Sequence, residues 1–427
     1  MRHPGGSVRR AAWLAVAAIT AASIGGAPVS AQEGGQVEIF SYWTAGGEAE
    51  GLNAIQEVFS AAHPDVEIIN AVIAGGAGVN ANAVLATRMQ GGDPPDTFQI
   101  HGGAELIDNW VKTDFMQPIS GLYEELGLAE LFPAGIIDLV SYEGEPYAVP
   151  VNVHRNGVLW YNKAILDAQG IAAPTTWDEF FAAADQLQAA GVTPLALGDR
   201  DGWTALNLFE QILLSTLGPD DYRGIWAGEV PWTDERVTEA LEIMSRALDY
   251  VNEDHATLSW DQAAGLLVSG DAAMNVMGDW AKGFFTASGW VPGEDFGWAP
   301  VPGDAGTFTV VTDSFALPKD VKNQDNALLW LATLASLEGQ DAFNPLKGSI
   351  PARVDADRSK YDIYSTEAMD SFASDELVPS QANGPATIPA FLVPITDAIS
   401  VFVTSRDVAG TQAAINDACI STGACPS

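Results

Sequence analysis

Tyr42-Trp43-Thr44-Ala45-Gly46-Gly47-Glu48 puts an indole, two glycines and a carboxylate where a strand over 37–41 hands over to a helix over 49–61. An indole face packs on the C–H face of a sugar ring, and a carboxylate accepts hydrogen bonds from its hydroxyls. The stretch therefore has the chemistry to hold one small polyol. The bland alternative is that Trp43 is core and Glu48 an acid favoured at a helix N-terminus. Two other strand ends carry polar groups in the same way: Gln99 and His101 end a short strand after Asp93-Pro94-Pro95-Asp96, and a strand from Ala273 breaks at Gly278 to deliver Asp279 and Trp280. By themselves Trp260 and Trp280 read as buried aromatic area, Asp313 as the cap of a turn and Lys347 as a solvated charge.

The elements that must position these residues begin as strand, helix, strand, helix, with apolar periodicity over 37–41, 49–61, 66–73 and 80–90. That order implies a parallel, doubly wound α/β sheet. Gly76-Ala77-Gly78-Val79-Asn80-Ala81 matches G-x-G-x-x-A, but it follows the second strand and no ribose-binding strand end comes at the usual spacing, so it reads as a turn feeding a helix and not as a dinucleotide loop. Further helices are expected over 104–110, 122–131, 206–217, 233–250, 258–268 and 323–337, and a mostly helical remainder over 365–418. Thr176, with Glu179 three residues on, has the spacing of a capping box. Residues 147–155 and 309–317 read as extended crossings between domains. Asn344-Pro345-Leu346-Lys347-Gly348 reads as a turn punctuated by proline and glycine.

Arg2, Arg9 and Arg10 precede an apolar run over 11–22, and Val29-Ser30-Ala31 offers small residues for cleavage, so residues 1–31 read as a signal peptide. An exported protein without a lipid anchor is expected, periplasmic or otherwise extracytoplasmic. Of 427 residues, the remainder exceeds what one core supports, so two lobes are expected. Acids outnumber bases, 56 to 19, for a formal charge of −37, which becomes three units more negative without the leader arginines. Nucleic acid and anionic membranes are poor partners for such a chain, and its surface suits a salty setting. Cys419 and Cys425 are the only cysteines; in an oxidising compartment one small-loop disulfide is the simplest account. No metal site or cofactor is expected.

Six blocks, taken in order, carry a resemblance: Tyr42–Glu48, Pro150–Arg155, Thr176–Asp185, Met277–Gly283, Asp313–Phe315 and Lys347–Arg353. Together they resemble the extracytoplasmic solute-binding proteins of ABC sugar importers, most of all the glucose-binding ones, over nearly the whole mature chain. The resemblance implies a periplasmic-binding-protein-like α/β fold: two lobes joined by crossing segments, with one monosaccharide in the cleft between them. The lobes would comprise 36–147 with 314–353 and 148–313 with 354–417, followed by a tail over 418–427. It implies sugar contacts by Trp43, Glu48, Gln99 and His101 from the first lobe, by Trp260, Asp279 and Trp280 from the second, and by Asp313 and Lys347 near the crossings. His154 and Arg155 lie in a matching block without an assigned contact. Two positions depart from the family: His101 stands where some members have lysine, and Asn383 where members have histidine. Asn383 keeps hydrogen-bonding capacity but cannot become cationic.

The implied function is capture of glucose or a related aldose outside the cytoplasm by a monomer that hands it to an ABC permease on lobe closure, without chemistry. An exported glycosidase would also carry tryptophans and carboxylates in a cleft, although no carboxylate pair is singled out here. A sugar-binding subunit of a chemoreceptor would share the same cleft and differ only in partner.

Overall fold

The computed structural model describes residues 35–74, 78–384 and 386–425; the signal-peptide expectation, 1–31, lies outside them. Strand Gln36–Ser41 is the seed of the first sheet: it pairs in parallel with Glu67–Val72 on one side and Thr97–His101 on the other. Helices Gly46–Ala62 and Val79–Gln90 form the crossovers, as the alternating pattern requires. Asp313–Ala316 adds antiparallel to Thr97–His101, and Ala148–Pro150 closes the edge. A second sheet, in the order Phe296–Ala299, Val158–Asn162, Ala272–Met277, Thr193–Ala196, belongs to the other lobe. The molecule is thus two α/β lobes.

Two long antiparallel segments join them. Asn152–Arg155 continues Ala148–Pro150, and Thr307–Val311 continues into Asp313–Ala316; with Ile350–Pro351 and Glu376–Pro379 they make a four-stranded connecting sheet. Their register changes along the way: Val311 faces His154, yet Ser314 faces Pro150. The extra residue between Pro150 and His154 is a β-bulge, the device that re-aims side chains out of a ladder. Asn152 and Asp313 sit at it.

Apolar burial is continuous from Phe59 and Trp330 in the first lobe to Trp160 and Phe285 in the second. Separate clusters pack Phe40, Leu85, Phe98 and Trp110 on the first sheet and Phe180, Phe209, Trp232 and Phe391 among the helices of the second lobe. Helix Trp203–Leu217 is buried on almost every side, so it is the central rod of that lobe.

Several expectations are refined. The helix over 122–131 is broken by left-handed Gly127 into Ser120–Leu126 and Leu128–Leu131. The capping box is half formed: the Thr176 side chain accepts from the Glu179 N–H, but Glu179 reaches Thr175 instead of Thr176. The turn expected at Asn344-Pro345 is helical; helix Leu337–Lys347 runs through Pro345 and ends at Gly348, φ +98°. The Asn344 amide donates to the Gln340 and Val151 carbonyls, tying this turn of helix to the crossing strand. Strand Glu376–Pro379 interrupts the helical C-terminal region. Cys419 and Cys425 are disulfide-bonded, with Cα atoms 5.2 Å apart. Ala148–Pro150 pairs with Asp313–Ala316 in the first sheet, and the chain enters the connecting sheet at Asn152.

Candidate functional site

Three chain segments meet backbone to backbone between the lobes, and glycine makes that approach possible. A Cβ on Gly47 would lie 2.9 Å from the Gly283 Cα, one on Gly283 2.7 Å from the Leu346 carbonyl oxygen, and one on Gly348 2.7 Å from the Gly283 N. Each is closer than carbon tolerates. The neighbours of these glycines are Glu48, Lys347 and, just before the helix Trp280–Ala287, Asp279. The contact therefore brings together charged and aromatic groups from positions as much as 299 residues apart.

Glu48 and Lys347, with Trp43 and Trp280, line a cavity of about 250 Å³. Lys347 is a buried member of its wall. Its ammonium pairs with Glu48 Oε1 at 2.8 Å and stands 5.7 Å and 5.8 Å from the ring centroids of Trp43 and Trp280, within cation–π range of both. Trp43 packs against Phe315 and Phe343, and its Nε1–H is buried without a partner. Trp260 starts its helix next to Ser259, whose N–H donates to the Gln262 side-chain oxygen at 2.9 Å.

The floor is an alternating row of carboxylates and imidazoles. Glu105 Oε2 lies 2.7 Å from His101 Nδ1, and His101 Nε2 lies 2.9 Å from the Tyr42 hydroxyl and 3.7 Å from Asp313. Asp313 accepts from Gln99 Nε2 at 3.0 Å and Asn152 Nδ2 at 2.8 Å, and it lies 3.3 Å from His154 Nε2. His154 Nδ1 bonds in turn to Asp279, which also accepts from the Arg155 N–H at 3.0 Å. Burial pushes the Asp313 carboxyl up, but the His154 hydrogen bond and the Lys347, His154 and His101 charges outweigh it and hold it far below the usual carboxylate range. Burial likewise pulls His101 and His154 down, yet Glu105 and Asp279 respectively hold each above the ordinary histidine value. An ionised Asp313 is an acceptor only, suited to ligand hydroxyls.

Of the residues singled out by sequence, Trp43, Glu48, His101, Trp260, Trp280, Asp313, Lys347 and Asn383 line the cavity. Gln99 and Asp279 do not; they stand one layer behind, bonded to Asp313 and His154. Sequence reading missed Tyr42, Arg200, Asp201, Trp203, Ser259 and Asp261 as lining residues, and gave His154 no contact. Tyr42 lay inside a motif already quoted. Asp201-Gly202-Trp203 offered a signal, an aromatic at a helix start after a glycine with φ +78°.

A larger cavity, about 610 Å³, is lined by Pro133, Ile136, Val354, Met369 and Phe372 among others; its two arginines are tied to Asp355 and Asp370. The smaller one combines aromatic walls with convergent polar groups, the mark of a specific site. Among the described residues no group of three His, Cys, Asp or Glu side chains could hold a metal ion, and no helix is long and apolar enough to cross a membrane.

Residues 11–341 match the family of bacterial extracellular solute-binding proteins. An uncharacterized ABC transporter extracellular-binding protein of Pyrococcus horikoshii is 39% identical over 405 residues, 92% of this chain and 91% of its own. A probable sugar-binding periplasmic protein of Brucella suis is 33% identical over 384 residues, 88% of this chain and 90% of its own. Among solved structures, the bacterial solute receptor AcbH, described as having an exclusive preference for β-D-galactopyranose, superimposes with a TM-score of 0.81 at 20% identity, covering 91% of this chain and 99% of that one.

Proposed function

Because the chain belongs to the bacterial extracellular solute-binding proteins, we propose that it binds one monosaccharide, glucose or a related aldose, in the 250 Å³ cavity and delivers it to an ABC permease when the lobes close. The observation that carries this reading is the composition of the cavity: four indoles, Trp43, Trp203, Trp260 and Trp280, around Lys347 and the Asp313 carboxylate. Its volume falls below the roughly 300–1,000 Å³ of drug-sized ligand pockets, which favours a single ring. Micromolar affinity needs about 8 kcal/mol. Three or four hydrogen bonds to charged groups, at roughly 1.5–3 kcal/mol each, together with indole burial, exceed that and offset ordering and closure.

We read the protein as a binder without turnover. A glycosidase needs a carboxyl with a raised pKa as its acid; Asp313 is held low instead, which suits an acceptor of ligand hydroxyls and not that acid. In this reading 36–147 with 314–353 form one lobe and 148–313 with 354–417 the other, with Ala148–Pro150 the seam that stays paired in the first sheet; the protein is an exported monomer freed of residues 1–31, and its partners are a sugar and a permease. Calorimetric titration with glucose, galactose, mannose, xylose and a set of disaccharides tests it. One-site binding to one monosaccharide, micromolar or tighter and without product formation, is the expected result; silence across the panel, or hydrolysis of a glycoside, would overturn it.

A further inference from the structure

We propose that Glu210, deep in the second lobe and outside the cavity lining, is a positioning residue that dictates which end of the Asn383 carboxamide faces the ligand; this rests on the cavity being a sugar site. Glu210 is fully buried on the central helix Trp203–Leu217. Its Oε1 accepts from the Tyr222 hydroxyl at 2.6 Å and the Gln381 N–H at 2.7 Å. Its Oε2 accepts from the Ala382 N–H at 3.0 Å, Ser380 Oγ at 3.1 Å and Asn156 Nδ2 at 3.1 Å. Every partner is a donor and none is a cation, so the carboxylate is held by hydrogen bonds alone. Two of them come from the backbone of the segment that carries Asn383.

The orientation of the amides follows step by step. Burial pushes the Glu210 carboxyl above its ordinary value against the pull of its hydrogen bonds; in the ionised form that five converging donors favour, both oxygens are acceptors only. Asn156 must then turn its NH₂ toward Glu210, where it also meets Asn207 Oδ1. That leaves the Asn156 Oδ1 pointing the other way, at the Asn383 side chain 2.6 Å off. Asn383 must meet an acceptor with its own NH₂, and its carbonyl oxygen is left for the cavity it lines. Position 383 thus presents an acceptor, and the ligand group opposite it must donate. The polarity is set by a carboxylate two residues removed from the ligand.

A deoxyfluoro sugar separates this role from a merely structural one, because fluorine at a ring position can accept weakly but cannot donate. The probes are D-glucose, D-galactose and the monodeoxyfluoro derivatives of each. In the wild type, fluorine at the ring position facing Asn383 is expected to weaken binding about 10- to 100-fold. In Glu210→Gln and Asn156→Ala that penalty should shrink to roughly threefold or less, with the penalties at the other positions unchanged. Asn156→Ala keeps four of the five Glu210 donors and serves where Glu210→Gln does not fold. A ligand-free arm uses asparagine-¹⁵N-labelled protein, with the Asn383 side-chain resonance assigned by its absence in Asn383→Ala. One of its two amide protons should be protected from solvent exchange in the wild type, and the protection should be lost in both variants. Uniform weakening of every sugar, or free exchange of both protons in the wild type, would overturn the proposal. If no sugar on the panel binds, the sugar reading falls, while the exchange arm still decides the relay.

Discussion

Replacing Lys347 by Met is the perturbation whose consequences the structure sets out most fully. The ammonium is buried between the Trp43 and Trp280 rings and pairs with Glu48 at 2.8 Å. The methionine stem fills much of the same volume, so the packing term is small, under about 1.5 kcal/mol for a volume-conserving swap. What remains is chiefly the unpaired Glu48 carboxylate, whose side chain is only 15% exposed, because Asp313 keeps His154 and His101 after the Lys347 charge is gone. Removing one partner of a buried pair costs about 3–5 kcal/mol, most of it the charge left behind; some water access to Glu48 places this case near the lower figure. Glu48→Gln alone strands Lys347 and should cost a similar amount. The double variant, with no buried charge at this pair, should recover much of the loss, giving a coupling of about 2–3 kcal/mol. The assay is urea denaturation of the four proteins, with the midpoint shifting at constant m. Additive losses, or single variants within about 0.5 kcal/mol of the wild type, the range of unexceptional surface changes, would refute the argument that this pair is buried and mutually dependent.

Other consequences are as direct. Asp313 is held below its unfolded pKa, so its contribution to stability is complete above the ordinary aspartate value and is lost as pH falls through the folded one; Asp313→Asn should flatten the acid limb of a stability–pH profile, and an unchanged limb would contradict this. His101 and His154 are held above their ordinary value, so their contribution is present below about pH 6.5 and declines as pH rises through the raised values; His154→Gln should reduce the loss between neutral and alkaline pH, and a wild-type slope would contradict this. Gly283→Ala would press a Cβ onto the Leu346 carbonyl oxygen at 2.7 Å and should destabilise by about 1–3 kcal/mol while displacing Lys347, seen as weaker sugar binding together with a lower denaturation midpoint; unaltered affinity would count against this contact as the scaffold of the site. With 56 acidic residues against 19 basic ones, self-repulsion is screened by salt, so the urea midpoint should rise with added sodium chloride, and a flat response would count against a surface adapted to salt.

What was legible in the chain was local. Strand Gln36–Ser41 and its helix are written in apolar spacing, and the glycines after Trp43 open that helix, Gly46–Ala62. The His154–Asp279 pair was not legible, because the two residues are 125 positions apart and meet only through the crossing strands. The bulge that aims Asp313 inward depends on a register between two segments whose residues Asn152 and Asp313 are 161 positions apart, which no local pattern records. Asn344-Pro345 misleads for a related reason. A proline weakens a helix, but the Asn344 amide bonds to Gln340 and to the distant Val151 carbonyl, and tertiary contacts override the local preference. Glu210 looks on sequence grounds like the polar face of an ordinary helix; only the burial of that helix on nearly all sides makes it a buried anchor.

The most direct measurement is a crystal structure of the protein with the tightest-binding sugar of the calorimetric panel. The account predicts one pyranose ring enclosed by Trp43, Trp260 and Trp280, with Asp313 and the Asn383 carbonyl oxygen each within hydrogen-bonding distance of a ring hydroxyl. A sugar bound elsewhere, or an oligosaccharide lying along the cleft with those two acceptors out of reach, would contradict it.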